Sequence, residues 1–106
     1  MSHETVNYED VEPVAGAMHF LRDPLDCETV GLTVVECDPG WTGKEHDHAG
    51  SDHEEVYLLL EGDATVTVDG EAVEMTAGDA LRVDPEATRQ IQNGDAESTF
   101  VLAGAP

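Results

Sequence analysis

Basic side chains are almost absent from this chain. Four Lys and Arg residues stand against 24 Asp and Glu in 106 residues, a formal charge of -20, and Lys44 is the single lysine. Proteins that hold nucleic acid or lie on an anionic membrane neutralise phosphates with Lys and Arg, so no nucleic-acid partner and no membrane partner is expected. Cysteine is scarce as well. Cys27 and Cys37 form no Cys-x-x-Cys pair, which argues against a redox motif, and two free thiols are the default in an intracellular chain. Long apolar runs are missing: the longest, residues 56–60, is far short of the ~20 residues a membrane helix needs. No window of about eleven residues keeps a 3.6-residue apolar period free of Gly or Pro, which speaks against helices. Internal repeats are missing too. Residues 1–17 have neither a basic start nor an apolar core, so no secretion signal is expected and the chain reads as cytoplasmic.

What is present is a folded, acidic domain. Hydrophobic residues make up 40% of the chain, and the acids are scattered among them instead of standing in blocks, so this is not a disordered acidic tail. Carboxylate self-repulsion is costly at low ionic strength and screened at molar salt, where the Debye length is about 3 Å. That pattern suits the cytoplasm of a salt-accumulating halophile; an acidic face for a basic partner is the competing reading. The length allows one domain, residues 1–106, with a short N-terminal arm at about 1–14.

The pattern along the chain is short strands between turns. Runs rich in Val, Leu, Thr or aromatics cover 17–21, 30–37, 54–61, 64–68, 72–75, 80–83, 88–92 and 99–102. Asp69-Gly70 and Asn93-Gly94 read as two-residue hairpin turns. Gly62-Asp63, Gly78-Asp79, Asp23-Pro24 and Asp38-Pro39-Gly40 mark further turns. In Thr65-Val66-Thr67-Val68 the alternation predicts one buried face, whereas Leu58-Leu59-Leu60 predicts a strand covered on both sides. Many short strands with regular turns predict an all-β sandwich or barrel. Val66, Val68, Val83 and Ile91 are the expected interior, with the neighbours of Leu58 on its strand.

Chemistry concentrates in residues 40–62. His46, His48 and His53 fall within eight residues among carboxylates, directly before the apolar run. Neutral imidazole and carboxylate bind divalent first-row metals. On extended backbone, His46 and His48 point to one face by their i, i+2 spacing, as do His53 and Glu55, so two strands can aim four donors at one point. The alternative is a solvated polar loop. His3 and His19 have no motif context and are expected at the surface.

These residues resemble the first motif of the cupins: Gly40, five residues, His46, one residue, His48, then Glu55 six residues before Gly62. Gly78-Asp79 through Asn93 resembles the second motif, with Asp69-Gly70 as the hairpin between them. Residues 40–93 carry the likeness. It implies a small single-domain, type-2-like cupin, an all-β jelly-roll barrel with a metal site inside its mouth. It also implies a divalent ion (Mn, Fe, Ni or Zn) on His46, His48 and Glu55, and a homodimer paired through outer strands, with residues 17–21 as an edge that needs covering.

Two departures stand out. Six residues separate His48 from Glu55, a longer spacer than is usual. Where cupins carry Pro, Gly and a fourth ligand His, this chain has Asp84, Glu86 and Arg89. A guanidinium has no lone pair to give a metal. His53 is the candidate replacement ligand; otherwise it sits in the lengthened loop against water. Arg89 shares a face with Ile91 and Asn93, points inward and needs a partner. Glu55, a substrate carboxylate or phosphate, and Asp84 or Glu86 are the three candidates. Tyr57, two residues past Glu55, faces inward as core or as a ligand-binding residue, and Trp41 stacks over the pocket or the outer wall. The function expected is binding or acting on a small-molecule ligand at the metal. The alternative is a metal-free cupin that holds a small anion through Arg89 or is purely structural.

Overall fold

Eight strands form among residues 2–106, which the computed structural model describes: β1 (Met18–Phe20), β2 (Gly31–Cys37), β3 (Glu54–Glu61), β4 (Asp63–Val68), β5 (Glu71–Thr76), β6 (Ala80–Val83), β7 (Arg89–Asn93) and β8 (Ser98–Ala105). Each predicted run is found, with its ends displaced by three residues at most. The described helix is a single 3-10 turn at Tyr8–Asp10. The strands build a five-stranded sheet, β1-β2-β8-β3-β6, and a three-stranded sheet, β5-β4-β7, antiparallel throughout. This is the all-β jelly-roll architecture expected.

The period-two pattern decides what lies between the sheets. Val35, Tyr57, Leu59, Val66, Val83 and Phe100 are fully buried, Ile91 is nearly so, and Val68 packs against them half-exposed. Truncating Leu59 or Phe100 to Ala is expected to cost about 3–5 kcal/mol, since each fills the centre of the barrel. The Leu58–Leu60 expectation is corrected. Leu59 is buried, Leu58 is half-buried and Leu60 is 49% exposed, because β3 lies inside a sheet whose outer face has no second layer.

Turn chemistry holds in one hairpin and fails in the other. Asp69 (φ 49°) and Gly70 (φ 81°) both take positive φ, as the tight turn from β4 to β5 requires. Asn93-Gly94 is not a hairpin turn: β7 pairs with β4, and β8 lies between β2 and β3 in the other sheet. The Asn93 side chain is committed elsewhere. Its Nδ2 donates to the carbonyls of Cys37 (3.2 Å), Asp38 (2.7 Å) and Ala96 (2.9 Å), and its Oδ1 accepts from Ser98 Oγ at 2.7 Å. Asn93 stitches the closed end of the barrel.

His19 is also corrected: it is buried, not at the surface. The N-terminal arm folds over it. Its Nδ1 lies 2.7 Å from the Val11 carbonyl, and the Tyr8 ring stands edge-on at 5.3 Å, with the Tyr8 hydroxyl donating to Glu36. Trp41 packs on the barrel wall, donating Nε1–H to Ala15 O at 3.0 Å; it does not line the mouth cavity. His3 is exposed.

Candidate metal centre

The chain that carries His46 and His48 is not a regular strand. It is an irregular ribbon hung on the second-motif segment by backbone hydrogen bonds. Asn93 N–H donates to Trp41 O, Gly43 N–H to Ile91 O, and His46 and Arg89 exchange both bonds at 2.8 and 3.0 Å. His48 N–H donates to Pro85 O at 2.8 Å. Both imidazoles are thereby set against β7. Glu55 arrives from β3, sharing the inward face with Tyr57 and Leu59. The long spacer is absorbed by a turn after His48, in which Ser51 N–H returns to His48 O and His53 N–H to Ser51 Oγ.

One nitrogen each of His46 and His48 and one oxygen of Glu55 all lie within 4.8 Å of one another. His48 Nε2 is 3.2 Å from Glu55 Oε1. His46 Nδ1 lies 3.1 Å from the Lys44 carbonyl, an acceptor only, so Nδ1–H donates there and Nε2 is the nitrogen left to face an ion. Burial lowers the His48 pKa; Glu55 opposes this, and Arg89 and the two neighbouring imidazoles add to it. A neutral His48 is the ligating form. Two imidazoles and one carboxylate, converging and partly accessible, fit a divalent first-row ion with open positions.

His53 stands beside this group, outside it. Its ring centroid is 5.1 Å from that of His48, and it lines the cavity at the barrel mouth. Arg89 is fully buried behind Glu55. Its Nη1 donates to Glu55 Oε1 at 3.4 Å and its Nη2 to the Asp84 carbonyl at 2.6 Å, while Nε has no acceptor among the described residues. Of the three partners considered, the structure thus pairs Arg89 with Glu55, and Asp84 contributes its backbone, not its carboxylate. The Asp84 side chain pairs instead with Arg82 on the surface, and Glu86 takes no part. Tyr57 is buried edge-on to Phe100, centroids 6.4 Å apart. Burial, then the Glu55 charge, pushes its pKa far up, so the phenol stays protonated.

Beside the ligand group opens a cavity of about 410 Å³, within the range of small-molecule sites. His48, His53 and Glu55 form one side; Phe20, Leu32 and Leu102 form another. The sequence reading missed Phe20 and Arg22, which come from the far N-terminal half through the β1–β2 pairing. It also missed Gly104, which pairs with Glu55. A Cβ there would stand 2.5 Å from His53 Nε2 and 3.1 Å from Glu55 Cγ, so glycine makes the room for the mouth. A lone Gly in an apolar run was the available signal.

Among solved structures, a cupin protein from Bacteroides fragilis is 30% identical, with a TM-score of 0.74 over 95% of this chain and 86% of that one. A predicted oxalate decarboxylase from Thermotoga maritima (19% identity, TM-score 0.77, 95% and 97% covered) and KdgF from Halomonas sp. (18%, 0.77, 100% and 94%) share the fold. No functionally curated protein matches the chain. The cupin domain family matches residues 33–104, which runs from within β2 into β8 and includes every residue of the His46, His48 and Glu55 group. The chain belongs to the cupin family.

Proposed function

We propose that this protein binds a divalent ion (Mn, Fe, Ni or Zn) through His46, His48 and Glu55 and takes a small molecule into the mouth of its barrel. The observation that carries this reading is the convergence of three donor atoms within 4.8 Å of one another, with two of their residues, His48 and Glu55, lining the cavity. A bound ion would polarise a ligand oxygen or activate water there. The chain's own residues orient and shield: Phe20 and Leu102 form an apolar wall, and Arg89 fixes the Glu55 carboxylate. His53, which lines the cavity beside His48, would contact a ligand or join the ion from the side. Metal analysis of untagged protein, followed by titration with Mn(II), Fe(II), Ni(II) and Zn(II), tests the proposal. Stoichiometric binding that disappears in the His46→Ala, His48→Ala double variant is expected; binding of none of the four would overturn it.

One observation favours a second reading. The Arg89 cation already balances Glu55, so that carboxylate has a charge partner without a metal. A metal-free, purely structural cupin fits that arrangement; a small anion bound through Arg89 would need Glu55 to move aside, since the guanidinium is fully buried behind it.

The assembly and habitat proposals rest on the outer surface. Val30, Val56 and Leu60 are 38–49% exposed on a chain of charge -20, and Val56 and Leu60 lie on the uncovered face of the five-stranded sheet. A second copy is the proposed cover, giving a homodimer in the cytoplasm of a halophile. Sedimentation and thermal melting from about 0.1 M to above 1 M salt test both ideas. A mass of twice 11.4 kDa and a rising melting temperature are expected. An 11.4 kDa species at high salt removes the dimer, and a flat melting curve removes the halophile.

A further inference from the structure

The mouth cavity holds one more charged group, and nothing in the metal reading uses it. Arg22 lines the cavity from the turn that follows β1, two residues beyond Phe20. Among the described residues it makes no ion pair. Its Nη2 and Nε donate to the backbone carbonyls of Glu28 (2.6 Å) and Cys27 (3.5 Å), which hold the guanidinium in place without neutralising it. The other cations are placed differently. Arg82 is paired with Asp84 and Glu54, Arg89 is buried against Glu55, and Lys44 lies outside the cavity. In a chain with 24 acids, an arginine that faces a cavity and has no carboxylate partner stands out. Beside it Phe20 keeps 46% of its surface exposed, an aromatic face that the protein itself does not cover.

We propose that Arg22 anchors the carboxylate of a small monoanionic ligand whose apolar body lies on Phe20, Leu32 and Leu102, with its far end toward His48, His53 and Glu55. The proposal rests on the small-molecule reading above and names the class of ligand. A planar guanidinium fork matches a carboxylate, and Nη1 is uncommitted. One free cation balances one negative charge. A phosphate dianion would bring excess charge toward Glu55 and into the field of a strongly acidic protein. The apolar wall asks for a hydrocarbon or aromatic body, whose burial supplies affinity that a single exposed ion pair cannot.

Calorimetric titration of the full chain with benzoate, benzamide and inorganic phosphate tests this, on EDTA-treated and Ni(II)-loaded protein in parallel. Benzoate should bind about tenfold or more tightly than benzamide. Arg22→Gln should remove that preference by weakening benzoate far more than benzamide. Arg22→Lys should keep part of it, and Phe20→Ala should weaken both organic probes. The side chain of Arg22 is exposed, so an unchanged melting curve verifies the fold of its variants. Equal affinity for benzoate and benzamide, no benzoate binding, or indifference to Arg22→Gln would overturn the proposal. So would phosphate that outcompetes benzoate. The parallel arms separate the two readings: failure to take up Ni(II), with the Arg22-dependent preference intact on EDTA-treated protein, sinks the metal site alone.

Discussion

Two polar side chains of β7 point into the barrel, one at each end, and they are treated differently. Asn93, at the closed end, donates to three carbonyls and accepts from Ser98. Arg89, at the mouth, is the larger and more completely buried group, yet its Nε has no partner among the described residues and its contact with Glu55 is long at 3.4 Å. A buried network whose members are all satisfied specifies structure. A partly satisfied one holds free energy that a bound species can change. The closed end is therefore built to stay as it is. The mouth, where Arg89 and Glu55 sit beside His46 and His48, is built to respond.

Removing each side chain should separate the two roles most strongly. Arg89→Leu leaves the Glu55 carboxylate, only 14% exposed, without its cation, and a loss of about 3 kcal/mol in stability is expected. Saturating Ni(II) should recover much of that loss, because a bound ion supplies the missing positive charge. Asn93→Ala strands the carbonyls of Cys37, Asp38 and Ala96 at an expected cost of about 1–3 kcal/mol, which no metal recovers. Chemical denaturation with and without Ni(II) gives both numbers. Equal metal rescue of the two variants would erase the contrast.

Arg89→His sharpens the same comparison on the binding side. It exchanges a cation that competes for Glu55 for a neutral donor beside His46, whose backbone bonds already lie opposite residue 89. Metal affinity should rise by about one to two orders of magnitude, the second-motif ligand being restored. An unchanged affinity in the same titration would mean that residue 89 does not face the ion.

The sequence carried the strands because their pattern is local. Alternation and turn residues placed 54–61 and 80–83 at their observed ends, and the inward phase of Glu55, Tyr57, Arg89 and Ile91 followed from counting by two. The three-donor group was legible for the same reason, its spacing lying within one segment. What escaped depends on pairing between distant segments. Asn93 looked like a turn residue, and its satisfied amide links β7 to residues 37 and 38, far away in sequence. Phe20 and Arg22 reach the mouth through β1 lying on β2, and no local spacing announces that. His19 has no motif around it and is buried by an arm residue, Val11, whose carbonyl it contacts. Gly104 matters only because Glu55 lies opposite and the His53 ring lies over it.

The smallest expected effect uses the cysteines as reporters of the two ends. Cys37 closes β2 at the Asn93 end and is 1% exposed; Cys27 is half-buried in the loop that holds Arg22 at the mouth. Burial raises the Cys37 pKa, a hydrogen bond with Ser98 opposes that shift, and the Asp38 charge adds to it. Only the thiolate reacts with a disulfide reagent, so Cys37 is disfavoured twice, by access and by ionisation. At neutral pH, Ellman's reagent should modify Cys27 at least about tenfold faster than Cys37, measured on the single Cys→Ser variants. Asn93→Ala should narrow that ratio by loosening the carbonyl of Cys37 itself, while Arg89→Leu, at the other end of β7, should leave Cys37 as slow as before. If Arg89→Leu exposed Cys37 as readily as Asn93→Ala does, the barrel would open as one unit, and the division between a fixed end and a responsive mouth would fail.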